Sequence, residues 1–406
     1  MEKDVKHLEN LLRTKERELN LLLEITQAIS SNVSATGLLK LFEDILRNQI
    51  GVGKLAVFTL QDSWVCSNYF GVDWNEISAI ADHFLPQFRH VTDLRKTRHE
   101  LSKTFDIVIP VYHKETPLAF TFIGGMSPEK GFAIEEKLNY LQIIFNVVAV
   151  AIENKKLSRE ERKQKVLKNE MEMAGQMQNM LMSAKLPDND RIQLSGIYLP
   201  HLEVGGDYYD YIELSKDECI FCIGDISGKG VAAALLMANF QASVRSLALQ
   251  HASLRDLIEA LNMCVNEITH GEKYVTFFLA RYHFKTREYQ YVSAGHNPAI
   301  LFHKGNVKLL EEGCTILGMF EKLPYVNVQS LRLDGPAITL CYTDGLTDIQ
   351  NEKKQHLEIH HLSEFIEENH ELSAGELSRI LVDYLQDFKG SRLRDDDVSI
   401  LTCKIL

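Results

Sequence analysis

The C-terminal half of the chain contains four acidic turns, and each one begins or ends an apolar segment of strand length. They are GGDYYDY with Asp207 and Asp210, IGDISG with Asp225, YTDGLTD with Asp344, and RDDDVS with three aspartates at 395–397. Glycine next to aspartate allows a sharp turn and a close approach of the backbone to a ligand. Because strands that are distant in sequence can end at the same place in a fold, we expect these carboxylates to share a pocket.

Carboxylates gathered in one pocket repel one another, and a bound divalent cation relieves that repulsion. The acidic turns provide oxygen ligands without histidine or cysteine, and such ligands favour Mg²⁺ or Mn²⁺. Aspartate beside glycine is also ordinary turn chemistry, so each site taken alone is most simply a turn. Their repetition, each time against an apolar strand, favours a metal site.

Strand-like and helix-like segments alternate from about residue 190 to residue 406. Apolar runs between turn signals predict strands in CIFCIGDI, TFFLARYHF, EYQYVSAG, PAILFHKG, AITLCYTDG and DVSILTCKIL. Helical periodicity predicts helices at about 230–250, 253–268, 361–369 and 373–387. Many antiparallel strands with clustered helices are typical of an α+β sandwich.

The N-terminal part of the chain shows a different order of elements. Residues 1–32 are predicted to form one helix, because leucines recur at helical spacing among charged residues. Strands are predicted in KLAVFTL, DIVIPVY and PLAFTFIGG, and a long helix in AIEEKLNYLQIIFNVVAVAIENKKL. This α-β-β-β-α order suggests a small sensory domain.

Residues 152–186 are predicted to form a connecting helix, since Gly175 is the only glycine or proline among them. Apolar side chains recur there every seven positions, at Val166, Met173 and Met180 and again at Leu167, Ala174 and Leu181. Two interpretations remain open. The segment is either a solvated linker helix that rests on one neighbouring element, or a parallel dimeric coiled coil that connects two domains.

Composition limits the classes of function. The net charge of −12 argues against a nucleic-acid partner, because phosphate binding needs clustered lysine and arginine. The first ten residues, MEKDVKHLEN, lack the apolar core of a signal peptide, and no run approaches the ~18 apolar residues of a membrane span. We therefore expect a cytoplasmic protein without a membrane partner.

Seven cysteines at irregular spacing indicate reduced, buried thiols rather than a disulfide framework. Cys219 and Cys222 form a CxxC motif, which suggests a zinc or redox site. The motif lies in the apolar run ECIFCIGD with no second CxxC nearby, so a plain strand is the favoured interpretation.

The segment at about 18–155 resembles a GAF domain. The resemblance rests on a strand, a proline-containing turn in VYHKETPLAFTF, a strand ending in glycine, and a helix closing in VAVAIENKKL. The NKFDE signature of cyclic-nucleotide-binding GAF domains is absent from the sequence, so the resemblance leaves the ligand unknown. A ligand-free dimerisation domain is the alternative to a sensor.

Five motifs, VGGDYYDY, IGDISGKGVAAALLM, SAGHNPAIL, YTDGLTDIQN and DDDVSIL, together resemble the metal-dependent Ser/Thr protein phosphatases of the SpoIIE or RsbU kind. These are the bacterial relatives of protein phosphatase 2C, also called PPM phosphatases. EMEMAGQMQNMLMSAKLPD resembles the helix that precedes their catalytic core. The resemblance implies an α-β-β-α sandwich and this division of the chain: an N-terminal helix (1–17), a GAF-like sensory domain (18–155), a helical connector (156–188) and the phosphatase domain (189–406).

The resemblance also implies the roles of residues. Asp207, Asp225 and Asp344 match the family's metal ligands, with Asp225 bridging two ions, Mn²⁺ or Mg²⁺, and the backbone carbonyl of Ile226 completing one site. Counting back from VSIL selects Asp396 as the last ligand, with Asp397 beside it as the alternative. In such an enzyme the two ions activate a water molecule for direct attack on a phosphoserine or phosphothreonine.

The substrate implied by the family is a phosphorylated STAS-domain protein that antagonises an anti-sigma factor, and a homodimer through the connector is expected. Two alternatives are a catalytically inactive scaffold that binds a phosphoprotein, and a small-molecule sensor with a vestigial output. GDISGKG lacks the spacing of a Walker loop, so Lys229 is expected to be an exposed turn residue or a helix-start contact. For His296, a structural role in the SAGHNP turn is favoured over that of a general acid.

Overall fold

The structure, a computed structural model, describes residues 2–60, 63–83, 85–126, 134–182, 185–390 and 396–406. The chain divides into two compact units, Met1–Lys165 and Val166–Leu406. The following account takes each unit by itself.

The first unit combines helices with one antiparallel sheet. Its helices are α1 (Glu2–Ser30), α2 (Ala35–Asp44), α3 (Trp74–His83) and the first part of α4 (Ile134–Met182), with a π-helical turn at Ile45–Ile50 and 3₁₀ turns at Leu85–Gln87, Leu94–Lys96 and Glu100–Lys103. Its strands are β1 (Lys54–Leu60), β2 (Trp64–Phe70), β3 (Thr92–Asp93), β4 (Ile107–His113) and β5 (Thr116–Gly124). The predicted first helix and the three predicted strands are confirmed.

The sheet of the first unit has the order β2-β1-β5-β4-β3, and both of its faces are covered. One face packs against α1, α2 and α4 through residues such as Ile25, Phe42 and Leu141. The other face is filled by an aromatic-rich cluster that includes Phe58 and Phe122. The sequence analysis missed β2, because WVCSNYF is only half-buried and mixes polar with apolar residues.

The second unit contains most of the strands. They are β6 (Ile192–Leu199), β7 (Tyr208–Ser215), β8 (Glu218–Ile226), β9 (Val275–His283), β10 (Glu288–Ala294), β11 (Ala299–His303), β12 (Asn306–Leu310), β13 (Gly313–Cys314), β14 (Gln329–Arg332), β15 (Ala337–Tyr342) and β16 (Val398–Ile405). Its helices are the end of α4, α5 (Val231–Ala248), α6 (Leu254–Thr269), α7 (Asp344–Thr347), α8 (Ile359–Asn369) and α9 (Ala374–Lys389). Every strand and helix predicted in this half is present.

Two sheets lie face to face in the second unit, with strand orders β13-β10-β9-β8-β7 and β12-β11-β15-β16-β6. One core joins α5, α6 and both sheets, and another lies between the second sheet and the helices α8 and α9. The layers therefore follow the predicted α-β-β-α order. Cys219 and Cys222 are buried free thiols in β8, as the strand interpretation of the CxxC motif required.

Helix α5 is long and apolar enough to cross a membrane by length and composition alone. Its buried side chains, including Met237, Phe240 and Val244, lie in the core of the second unit. In this fold its apolar face therefore packs against protein.

An ion pair between the half-exposed Arg245 and the buried Asp210 fixes α5 to the first sheet. Arg245 Nε and Nη2 donate to the two carboxylate oxygens of Asp210 at 2.6 and 2.9 Å, and Asp210 is fully buried. The hydroxyl of Tyr208 and the N–H of Tyr211 donate to the same carboxylate. Because each oxygen has two donors, the buried charge is compensated.

Replacing Arg245 with methionine is expected to destabilise the protein by about 3 kcal/mol, because the Asp210 carboxylate stays buried without its cation. Urea unfolding followed by circular dichroism measures this change. Arg245→Lys keeps the charge and is the matched control, with a smaller expected loss. A free energy of unfolding for Arg245→Met within about 0.5 kcal/mol of wild type would contradict this interpretation.

Candidate active site

The acidic turns meet because strands of both sheets end at the same place. Asp207 immediately precedes β7 and Asp225 lies at the end of β8, and these strands pair with Tyr208 opposite Gly224. Asp344 follows β15, and 396–397 precede β16. Thr343 connects the sheets, because its Oγ1 donates to Asp207 Oδ2 at 2.9 Å while its N–H donates to the carbonyl of Ser399.

Burial, and next the repulsion among the carboxylates, raises the pKa values of the aspartates at this site. Burial, and next the charge of Asp225, raise the pKa of Asp207, which is 2% exposed, well above its ordinary value. Burial, followed by the charges of Asp344, Asp396 and Asp397, raises the pKa of Asp225 to about 7. Burial also raises the pKa of Asp344, with smaller contributions from neighbouring aspartates. Such a cluster of mutually repelling acids is what a cation would stabilise.

The chemistry of the donors fits a hard divalent cation, since the site offers carboxylate oxygens from both sheets and the main-chain carbonyl of Ile226. A Cβ atom on Gly206 would lie 2.6 Å from that carbonyl oxygen, so glycine is required for this approach. Among the described residues, however, no three His, Cys, Asp or Glu side chains are arranged to hold an ion as they stand. The aspartates lie close together, but their described side chains are not positioned as a set of metal ligands.

The carboxylates of the last acidic motif, Asp396 and Asp397, interact with other groups of the protein. Lys229 is exposed in the turn before α5, as expected, and its Nζ also lies 2.9 Å from Asp396 Oδ2. Asp397 instead accepts hydrogen bonds from the backbone N–H groups of His201 at 2.7 Å and Gly206 at 3.1 Å. The two neighbouring aspartates therefore have different environments, one facing a side-chain cation and the other tied to a loop.

Two of the grouped aspartates are not part of this cluster as described. Asp210 was expected to belong to the acidic constellation, but its carboxylate forms an ion pair with Arg245. Asp395 lies outside the described residues. The acidic constellation consequently consists of Asp207, Asp225, Asp344 and the 396–397 pair.

The end of α4 holds the loop that carries Asp207, a contact that the sequence analysis missed. Gln178 is buried, its Nε2 donates to the carbonyl of Gly205 at 2.7 Å, and its Oε1 accepts from the N–H of Gly205 at 3.1 Å. A Cβ atom on Gly175 would lie 2.2 Å from the carbonyl oxygen of Glu203, so the helix approaches the loop closely. The single glycine of the connecting segment was the available signal for this contact.

His296 lies in a buried turn. Its Nδ1 lies 2.9 Å from Thr276 Oγ1, and the hydroxyl of Ser293 donates to its carbonyl. Burial lowers the pKa of His296 to about 4, so the ring is neutral at physiological pH. A neutral, buried imidazole agrees better with a structural role than with that of a general acid.

Part of the second unit is similar in sequence to known proteins. Residues 215–406 match the family described as Stage II sporulation protein E (SpoIIE). The chain is 29% identical over 235 residues to phosphoserine phosphatase RsbU of Bacillus subtilis, covering 57% of this chain and 69% of RsbU. It is 26% identical over 186 residues to phosphoserine phosphatase RsbP of the same organism, covering 45% of this chain and 46% of RsbP.

A solved structure supports the fold. The SiaA-PP2C domain of Pseudomonas aeruginosa superposes with a TM-score of 0.53 at 18% sequence identity, covering 59% of this chain and 97% of that domain. The match shows that the second unit has the PP2C architecture. Residues 215–406 of this protein therefore match the SpoIIE family, and the second unit has the PP2C fold.

Proposed function

We propose that the protein is a metal-dependent phosphatase that hydrolyses phosphoserine or phosphothreonine on a regulatory protein. The observation that carries this proposal is the convergence of Asp207, Asp225, Asp344 and Asp396 from two sheets onto one end of the sandwich. Burial raises the thiol pKa values of Cys219, Cys341 and other cysteines, so thiolate catalysis has no support.

Two divalent ions, Mn²⁺ or Mg²⁺, would be held by these four aspartates and the carbonyl of Ile226. Bound there, they would lower the pKa of a bound water molecule and neutralise phosphoryl oxygens. Asp396 is assigned as the ligand of the last motif, because Asp397 already accepts two backbone hydrogen bonds and anchors the 201–206 loop.

The protein's own groups prepare the site for this chemistry. Thr343 holds one oxygen of Asp207, and the Asp225 carboxyl group in turn contacts that of Asp207. The main chain at Gly206 lies against Ile226, so the two acidic turns are packed together rather than separated by side chains. Burial of Asp207 keeps bulk water away from this edge of the cluster.

The proposed substrate is a phosphorylated STAS-domain protein. Support comes from the similarity to RsbU and RsbP, both named phosphoserine phosphatases. A scaffold that only binds a phosphoprotein is the rival function. The four convergent carboxylates favour an enzyme, since a binding module has no need to gather like charges in a partly buried cluster.

Regulation is proposed to reach the site through the connector. In the proposed division, a helix (1–17), a GAF-like domain (18–155) and a connector (156–188) precede the catalytic domain (189–406). Met173, Met177 and Met180 form an exposed stripe on α4, which would pair two copies as a cytoplasmic homodimer. On the same helix Gln178 forms two hydrogen bonds with Gly205, so a change in the helix position would displace the loop that carries Asp207.

Asp225→Asn is expected to reduce Mn²⁺-dependent phosphate release by about a thousandfold, because it removes the central carboxylate of the cluster. Release is measured from p-nitrophenyl phosphate and a phosphoserine peptide, with Mn²⁺ and with a chelator. Asp334→Asn, at an exposed surface aspartate, is the matched control and should retain activity. Wild-type protein that releases no phosphate with Mn²⁺ would instead favour the scaffold.

Gln178→Met is expected to raise the Mn²⁺ concentration that gives half-maximal activity several-fold, since the loop that carries Asp207 loses both amide hydrogen bonds. Activity at saturating Mn²⁺ should recover. Gln176→Met, at an exposed position of the same helix, is the control. Identical Mn²⁺ titrations for Gln178→Met and wild type would show that the helix does not act through this contact.

His296 should make stability depend on pH. Its folded pKa of about 4 lies below the ordinary value of 6.5, so the unfolded chain binds a proton between these pH values and the folded protein does not. The neutral ring therefore stabilises the fold above about pH 6.5, and this contribution falls as pH drops towards 4, by at most about 1.4 kcal/mol per pH unit.

Urea unfolding of His296→Gln and wild type between pH 4 and pH 7 isolates this contribution, and the variant should show the shallower dependence. The pH profile of phosphate release near neutrality should be the same in both proteins if His296 is structural. A basic limb lost specifically in the variant would identify His296 as the general acid.

A further inference from the structure

Three large apolar side chains of the second unit project into solvent beside the acidic cluster. Tyr274, Met319 and Phe320 are 43%, 54% and 47% exposed, and we name them the 274/319/320 patch. Scattered exposed apolar residues are ordinary, so exposure alone indicates nothing. The way the backbone beneath them is held is more informative.

The backbone that presents Met319 and Phe320 is rigidly anchored. Asn262, only 1% exposed, accepts from the N–H of Gly318 at 2.9 Å and donates to the carbonyl of Phe320 at 2.9 Å. Asn266 donates to the same carbonyl at 2.8 Å. Two side-chain amides, one of them buried, thus fix a loop whose apolar side chains remain in water. This combination is typical of contact surfaces rather than of loose connections.

The patch is continuous with the turn that carries Asp225. The N–H of Ser227 donates to the carbonyl of Tyr274 at 2.9 Å, and Ser227 Oγ accepts from the N–H of Tyr274 at 3.0 Å. The next residue, Val275, exchanges two backbone hydrogen bonds with Leu317. A Cβ atom on Gly318 would lie 2.8 Å from the carbonyl oxygen of Lys273, so the two loops touch.

Charge indicates which partner fits this surface. Lys229 lies on the acidic cluster, and Lys273 Nζ lies 3.0 Å from the position a Cβ atom would take on Gly228. Two lysines therefore line the turn between the carboxylates and the patch, which complements the charge of a phosphate group. Beyond Phe320, the exposed Glu321 and Lys322 cancel in charge.

We propose that the 274/319/320 patch is a docking surface for the phosphoprotein substrate, and that it contacts apolar side chains near the phosphorylated residue. This inference rests on the proposed phosphatase function and adds a preference for substrates with apolar flanks. The patch contributes to substrate binding and not to the chemical step. Its loss therefore raises KM for a protein or peptide and leaves turnover of a small phosphate ester unchanged.

The test uses the full-length protein and three substrates. Two are phosphoserine peptides of equal length and charge, one with leucine and phenylalanine within five residues of the phosphoserine and one with serine and glutamine instead. The third is p-nitrophenyl phosphate. Wild type should prefer the apolar peptide about tenfold in kcat/KM.

The double variant Met319→Gln/Phe320→Gln should lose this preference through KM and hydrolyse p-nitrophenyl phosphate at the wild-type rate. The matched control is Leu249→Gln/Ile380→Gln, two exposed apolar residues at the C-cap of α5 and on α9, and it should keep the preference. If the double variant does not fold, Met319→Gln alone should reduce the preference.

Hydrolysis of both peptides by wild type without preference would overturn the docking surface and leave the proposed function intact. The same follows if the double variant keeps the preference, or if it loses p-nitrophenyl phosphate hydrolysis in parallel. Loss of self-association with unchanged peptide kinetics would reassign the patch to a second copy of the chain. If wild type hydrolyses none of the three substrates with Mn²⁺, the proposed function fails and the docking surface fails with it.

Discussion

The contact between the carboxyl groups of Asp207 and Asp225 is the constraint around which the second unit is arranged. Both groups are largely removed from water, and the charge of Asp225 raises the pKa of Asp207 further. Thr343 offsets part of this repulsion by donating to Asp207, and Lys229 offsets part of it at Asp396. These contacts hold the acids together while leaving the cluster electrostatically unsatisfied, which is the condition that favours a cation.

Such a cluster depends on the packing of two sheets rather than on any local motif. Thr343 directly follows β15, a central strand of the second sheet, and donates to an aspartate next to the first sheet, so sliding one sheet would separate them. The backbone segments around the acidic turns also pack so closely that several glycine positions have no room for a side chain. A Cβ atom on Gly345 would lie 1.8 Å from the carbonyl oxygen of Asp397, and one on Gly205 the same distance from its Oδ2. The glycines of the acidic motifs are thus steric requirements of the sandwich.

Sequence patterns were sufficient for six strands and four helices of the second unit and for the turns that carry its aspartates, because alternation and glycine-aspartate turns are local signals. They could not separate Asp207 from Asp210. Both lie in GGDYYDY, and the distinction is made by Arg245, a residue on another element. The Lys229–Asp396 pair and the Gln178–Gly205 contact are likewise tertiary. The sequence around one partner gives no sign of the other.

The two acidic turns of the first sheet are each contacted by a different segment of the chain. Gln178 of α4 holds the loop before Asp207, and Tyr274 pairs with Ser227 after Asp225. If a change in the connector alters the metal affinity of the carboxylates, metal binding must shift the conformational equilibrium of the connector by the same free energy. The same reciprocity applies to a substrate docked beside Tyr274. The position of α4, the affinity for metal and the affinity for substrate would then be thermodynamically linked through the Asp207–Asp225 contact.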